Sequence, residues 1–140
     1  MSLDIEVSEF NWLLDTFVSS SAGVTDAVAV SSDGLLMAQS DTLNRKGAHQ
    51  VAAIVSGLVS LGSSAGRFLG FSPVDQIIVA MGNGLLYVTA MGDSGCLGAI
   101  TDPAYDMDDV GYQMGRFVER AIDMLTPQLV TELKQAVAAG

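Results

Sequence analysis

Basic residues are scarce in this chain, histidine and cysteine occur once each, and every one of these shortages closes a class of function. Six Lys and Arg face sixteen Asp and Glu, a formal charge of −10 over 140 residues. Such a surface repels phosphate backbones, which argues against nucleic acid as a partner, and it disfavours anionic membranes. The lone Cys96 permits no internal disulfide and fits a reducing compartment. The lone His49 cannot assemble a zinc site, which takes three or four ligands. Charged residues make up only 16% of the chain and apolar ones 49%. That balance points to apolar surface reserved for a partner.

The length suits one domain spanning 1–140 with a sizeable core. Asp4, Glu6 and Glu9 stand where a secretory signal would need a basic region and an apolar run. Residues 47–66 lack formal charge, yet they include His49, Gln50 and several serines and glycines, unlike a membrane span. The expectation is a soluble cytoplasmic domain with no direct membrane insertion.

Two short apolar runs, 27–30 and 35–38, flank Ser31-Ser32-Asp33-Gly34. Asp-Gly between β-prone runs predicts a hairpin, with a type I′ turn at positive φ. Before it, Phe10, Leu13, Leu14, Phe17 and Val18 recur with helical spacing, with Ser8 as a candidate N-cap and Trp12 at the edge of the core. After it, Asp41 or Thr42 can cap a long second helix. Val51, Ile54, Val55, Leu58, Leu61 and Ala65 form its core stripe, and Ala53, Gly57, Ser60 and Ser64 lie nearly opposite. A solvent-facing side would normally be charged, whereas small residues let another backbone approach. Helix–helix self-association through that face is therefore expected.

Three strand-length runs follow, 76–81, 85–91 and 96–101, separated by Gly82-Asn83-Gly84 and Gly92-Asp93-Ser94-Gly95. They read as a meander. Ile77, Ile78 and Val79 are consecutive, so both faces of the sheet should be covered by helices. Asp106 caps a third helix with the stripe Met107, Val110, Met114, Phe117, Ala121 and Leu125. Thr126-Pro127 restarts a C-terminal helical extension over 127–138. The fold class is α/β of the α+β type, a five-stranded antiparallel sheet covered on both faces, in the order α-β-β-α-β-β-β-α.

Possible chemistry is thin. Gly92-Asp93-Ser94-Gly95 matches the tetrapeptide around a serine-protease nucleophile, but that mechanism needs an oriented general-base histidine. A hairpin turn is the simpler reading. Cys96 has no cationic neighbour in sequence and reads as a structural thiol. Asp102, Asp106, Asp108 and Asp109 lack the ligand spacing of a calcium loop and suit helix capping. Seven methionines read as core filler. No catalytic residue, cofactor or metal is expected, and the chain is not expected to be an enzyme.

The element order, Gly23-Val24 followed by the hairpin with Ser32-Asp33-Gly34, and the meander after a long Gly/Ala-containing helix together resemble the roadblock (dynein light chain) domain. The stretches 10–15, 53–58 and 125–127 are similar to one branch, the small roadblock protein of actinobacterial conservons. Those gene clusters also encode a sensor-kinase-like protein and a Ras-like GTPase. The resemblance implies a homodimer in which the second helices pack together and the middle strand of each sheet pairs across the two-fold. It also implies docking of a Ras-like GTPase; the gliding-motility member of the family stimulates GTP hydrolysis in its partner. On this chain the implied dimer interface is Ala53, Gly57, Ser60 and Ser64 with Gln76, Ile77, Ile78, Val79, Ala80 and Met81. Arg45, Lys46 and Arg67 are candidates for partner contact, with solvated surface as the rival reading. The function implied is a non-enzymatic scaffold regulating a small GTPase in a bacterial signalling complex. The alternatives are a small-molecule-sensing, PAS- or profilin-like domain, and a hetero-oligomeric scaffold with no GTPase contact.

Overall fold

A computed structural model describes residues 3–140. The chain runs α1 (Asp4–Ser20), β1 (Val24–Ser31), β2 (Leu36–Gln39), α2 (Arg45–Leu69), β3 (Gln76–Met81), β4 (Gly84–Ala90), β5 (Gly95–Thr101), α3 (Met107–Met124) and α4 (Pro127–Ala139). The expected element order is the observed one. All strand pairs are antiparallel, and the sheet order is β2-β1-β5-β4-β3. The non-local β1–β5 ladder joins the N-terminal hairpin to the meander. It leaves β2 and β3 as the two edges. The strand implied to pair across a two-fold is thus the middle one only in chain order; in space it is an edge, the one place from which it can pair.

Alternation of side chains along the strands divides the interior into two cores. On one face Ala27, Ala29, Leu97 and Ala99 meet Phe10, Leu14 and Phe17 of α1, Val110, Met114 and Phe117 of α3, and Leu129 and Leu133 of α4. Phe117 sits between Phe10 and Phe17 with ring centroids 5.8 and 5.9 Å away, the former pair edge-on, a geometry that aromatic quadrupoles favour. On the other face Val28, Val30, Leu36, Leu86 and Val88 meet Ala48, Ala52 and Val55 of α2. Both faces are covered, as the unbroken apolar runs require.

Local signals place the elements with some corrections. Asp106 accepts from the backbone N–H of Asp108 and Asp109, and Thr126 accepts from that of Leu129 ahead of Pro127 at the start of α4. The cap of α2 is Asn44, whose side chain accepts from Gly47 N–H at 2.7 Å, rather than Asp41 or Thr42. The first helix begins a turn before Ser8, at Asp4. At the β1–β2 turn Gly34 N–H donates to Ser31 C=O at 2.9 Å and only Gly34 has positive φ, 87°. That is a three-residue loop, a tight turn followed by a left-handed glycine, so Asp33 never adopts the strained φ that type I′ would demand.

The largest correction concerns α2. Ile54, Leu61 and Ala65, read as core, face solvent; the sheet-facing side is Ala48, Ala52 and Val55, with Val59 partly buried. The reason lies across the interface. A Cβ at Gly98 on β5 would stand 2.9 Å from Val55 Cγ2, so α2 lies nearly on the strand backbone. Close approach selects small side chains, and the larger ones turn outwards.

Candidate interaction surface

The outward side of α2 carries a ridge of large apolar residues. Ile54, Leu61 and Phe68 recur every seventh residue and are 48%, 72% and 90% exposed. Leu69 and Phe71 extend the ridge into the loop that leads to β3. Ala53, Gly57, Ser60 and Ser64 are exposed beside it, and a Cβ on Gly57 would meet nothing within 4 Å. The small residues marked by the sequence are therefore on the surface, flanked by apolar residues assigned to the core. The seven-residue spacing was the available signal.

β3 continues this surface. Of its six residues, Gln76, Ile78, Ala80 and Met81 are exposed or partly so, while Ile77 and Val79 tuck against the α2-side core. Asp75 C=O accepts from Ala90 N–H at 2.9 Å. Bonding alternates along an antiparallel ladder, so Ile77, Val79 and Met81 exchange bonds with β4. The backbone N–H and C=O of Gln76, Ile78 and Ala80 point away, to the open edge. Gln76 also accepts from the Tyr87 hydroxyl at 2.9 Å.

The candidate cations are less free than the sequence suggests. Arg45 donates to the C=O of Val137 and Arg67 to the Ser64 hydroxyl at 3.3 Å; Lys46 is exposed on the first turn of α2. Trp12 lies on the exposed side of α1 rather than at the core edge. Met37, Met91 and Met114 fill the core, whereas Met81 and Met107 are exposed.

Residues considered for chemistry hold structural posts. Ser94 directs its hydroxyl at Leu125 C=O, 3.5 Å away, in the turn between β4 and β5. Asp102 accepts from Ala104 N–H, and Asp109 accepts from Ala22 N–H at 2.9 Å, pinning the end of α1 to the start of α3. Among the described residues no group of three metal-binding side chains converges. Half-buried Cys96 has its thiol pKa raised by desolvation, the opposite of an activated nucleophile. It borders a cleft of about 380 Å³ between the β1–β2 turn and the middle of α2, lined also by Val55, Ser56, Val59, Ser60 and Ser63. By length and composition α2 could cross a membrane, but its Ala48–Ala52–Val55 side is a wall of the core.

The fold is shared with solved structures. Over 79% of this chain and 92% of the other, it superposes on a Roadblock/LC7 domain from Streptomyces avermitilis with a TM-score of 0.74 and 35% identity. The gliding protein MglB of Thermus thermophilus matches over 85% of this chain and 90% of its own (TM-score 0.75, 16% identity). MglB of Myxococcus xanthus matches over 84% and 94% (TM-score 0.73, 17% identity). At those identities the two MglB structures show the fold alone. No curated protein matches the chain in sequence. The model of the Roadblock/LC7 domain matches residues 10–101, from the first core phenylalanine of α1 to the last residue of β5. With that match spanning the whole sheet, most of α1 and all of α2, this chain belongs to the Roadblock/LC7 domain family.

Proposed function

We propose that the chain is a non-enzymatic, homodimeric scaffold that docks and regulates a Ras-like small GTPase in a cytoplasmic bacterial signalling complex of the conservon type, with a sensor-kinase-like protein as a further partner. The observation that carries the dimer is the coincidence of two incomplete features on one side of the molecule. An unpaired, uncharged strand edge runs beside an exposed apolar helix ridge. The ridge is unfavourable in water and the edge is a template for another strand. A second copy related by a two-fold perpendicular to the sheet covers both at once.

The alternation on β3 narrows the register. Partners opposite each other must share a face, so even-numbered residues pair with even-numbered ones. Centring the axis on Ile78 sets Ile78 against its own copy and Gln76 against Ala80, using every outward backbone group of the strand. The two α2 helices then pack side by side through Ala53, Gly57, Ser60 and Ser64, with Ile54, Leu61 and Phe68 closing the seam. Gly57→Glu tests this face: the isolated chain has room for the side chain, but the dimer brings like charges together. Sedimentation should show a monomer of unchanged secondary structure; a stable dimer would remove α2 from the interface.

GTPase docking rests on the family resemblance and on apolar surface remaining outside the seam. The experiment is co-sedimentation and GTP turnover with a Ras-like GTPase from a conservon gene cluster. Complex formation with altered turnover is the expected outcome, and absence of binding by the intact dimer overturns it. The cleft beside Cys96 favours a second reading, a small-molecule sensor. Its apolar floor and serine rim have the size of a ligand site, and a ligand-dependent rise in melting temperature would favour it.

A further inference from the structure

Helix α4 lies outside the residues matched to the family, 10–101. It starts at the Thr126 cap and buries Leu129 and Leu133 in the core beneath α1 and α3. One turn on, Val137 packs against the opposite core, the one under α2. A helix that touches one face with its beginning and the other with its end must cross the edge of the sheet. The edge it crosses is β2. Two polar ties hold it there: Lys134 Nζ lies 3.1 Å from Asp33 Oδ2 in the β1–β2 turn, and Arg45 at the start of α2 donates to Val137 C=O.

What lies against α4 would otherwise be hazardous. β2 is an edge strand whose Leu36, Met37 and Ala38 are 3%, 1% and 2% exposed, and residues 34–40 carry no charge. A bare edge of that composition is a template for another strand. We propose that α4 is a strap that closes the β2 edge against the β2 strand of a second copy, so that this chain offers one pairing edge instead of two and its assembly stops. Asp33 and Asp41 bracket the strand and repel those of a second copy, and the register shift at Met37 interrupts the edge; both act in the same direction. Salt screens that repulsion, and the Lys134–Asp33 tie with it, but leaves the buried leucines of the strap in place.

The proposal stands apart from GTPase binding and from pairing through β3, and its test separates them. In the full chain, Arg45→Ala with Lys134→Glu removes both polar ties and leaves the buried leucines. Hydrogen exchange should then accelerate on the order of tenfold in 129–137 and, in parallel, in 36–39, with β4 and β5 unchanged. A stronger variant, Leu133→Ala combined with Ile78→Pro, opens the strap while blocking β3. It should gain concentration-dependent species larger than the Ile78→Pro chain, more so at high salt. The proposal is overturned if α4 exchanges faster while 36–39 keep their protection. It is equally overturned if exchange in α4 ignores loss of both ties, or if the opened chain sediments like its Ile78→Pro parent.

Discussion

The two edges of this sheet are built from similar material and treated in opposite ways. β2 reads Leu-Met-Ala-Gln and β3 reads Gln-Ile-Ile-Val-Ala-Met, both uncharged and mostly apolar. β2 is buried beneath α4, while β3 presents outward backbone groups and exposed side chains. Edge strands that stay bare in soluble proteins usually carry lysine, proline or a bulge as protection. β3 has none of these among its six residues, and its ladder with β4 runs without a register shift. The contrast marks where the molecule is finished and where it is not. One side is closed by an added helix; the other leaves a strand edge and an apolar ridge exposed, which the proposed second copy would cover.

Substitutions on the two sides rank by the size of the change they should produce. The largest is on the closed side. Leu133 of α4 is fully buried, so Leu133→Ala should lower unfolding stability by about 2–5 kcal/mol, read from the urea midpoint. A change under about 1 kcal/mol would mean that α4 is loosely held. On the open side Phe68→Ser should leave the monomer's stability within about 0.5 kcal/mol, because the ring is 90% exposed. It should nonetheless weaken self-association by about 2 kcal/mol, roughly thirtyfold in the dissociation constant, if the ring is buried in the seam. Equal loss in both measurements would contradict the division between core and interface.

The smallest effect is electrostatic. The Ser31 hydroxyl donates to Asp33 and Lys134 lies beside it, and together they hold its carboxyl below the ordinary value of 3.8. A carboxylate whose pKa is depressed by folding contributes stability that is fully present above its unfolded value and is lost as pH falls through the folded one. Wild type and Asp33→Asn should therefore differ by a constant margin above about pH 5 and converge as pH falls below 3.8. A gap that widens on acidification would mean that the Asp33–Lys134 tie does not operate in solution. The effect is small because Asp33 is exposed to solvent.

Much of the fold was legible in local chemistry. Asp106, Thr126-Pro127 and the glycine-rich turns mark boundaries by satisfying particular backbone groups, and those signals do not depend on distant partners. The limits of β3 coincide with the apolar run that announced it. The orientation of α2 was not legible. Ile54 and Val55 are adjacent, so two apolar stripes run along one helix, and periodicity reports a stripe without saying what it faces. Gly98, more than forty residues away, decides the matter by letting Val55 sit on the strand. Nor does local sequence reveal that β1 pairs with β5, a contact that makes β3 an edge. The small residues around Gly57 are legible in the sequence, but periodicity assigns the large residues beside them to the core, whereas Ile54 and Leu61 are exposed.

The central proposal is that the β3 edge pairs with a second copy, and Ile78→Pro is its sharpest probe. Ile78 N–H points away from β4, so proline removes no bond within the monomer ladder. Across the two-fold it deletes the central pair of hydrogen bonds, about 2 kcal/mol or more, and adds steric conflict. Sedimentation equilibrium at micromolar concentration should give twice the 14.6 kDa chain mass for the wild type and the single mass for Ile78→Pro, with identical far-ultraviolet circular dichroism. A wild type that sediments as a monomer, or an Ile78→Pro chain that remains a tight dimer, would overturn that claim.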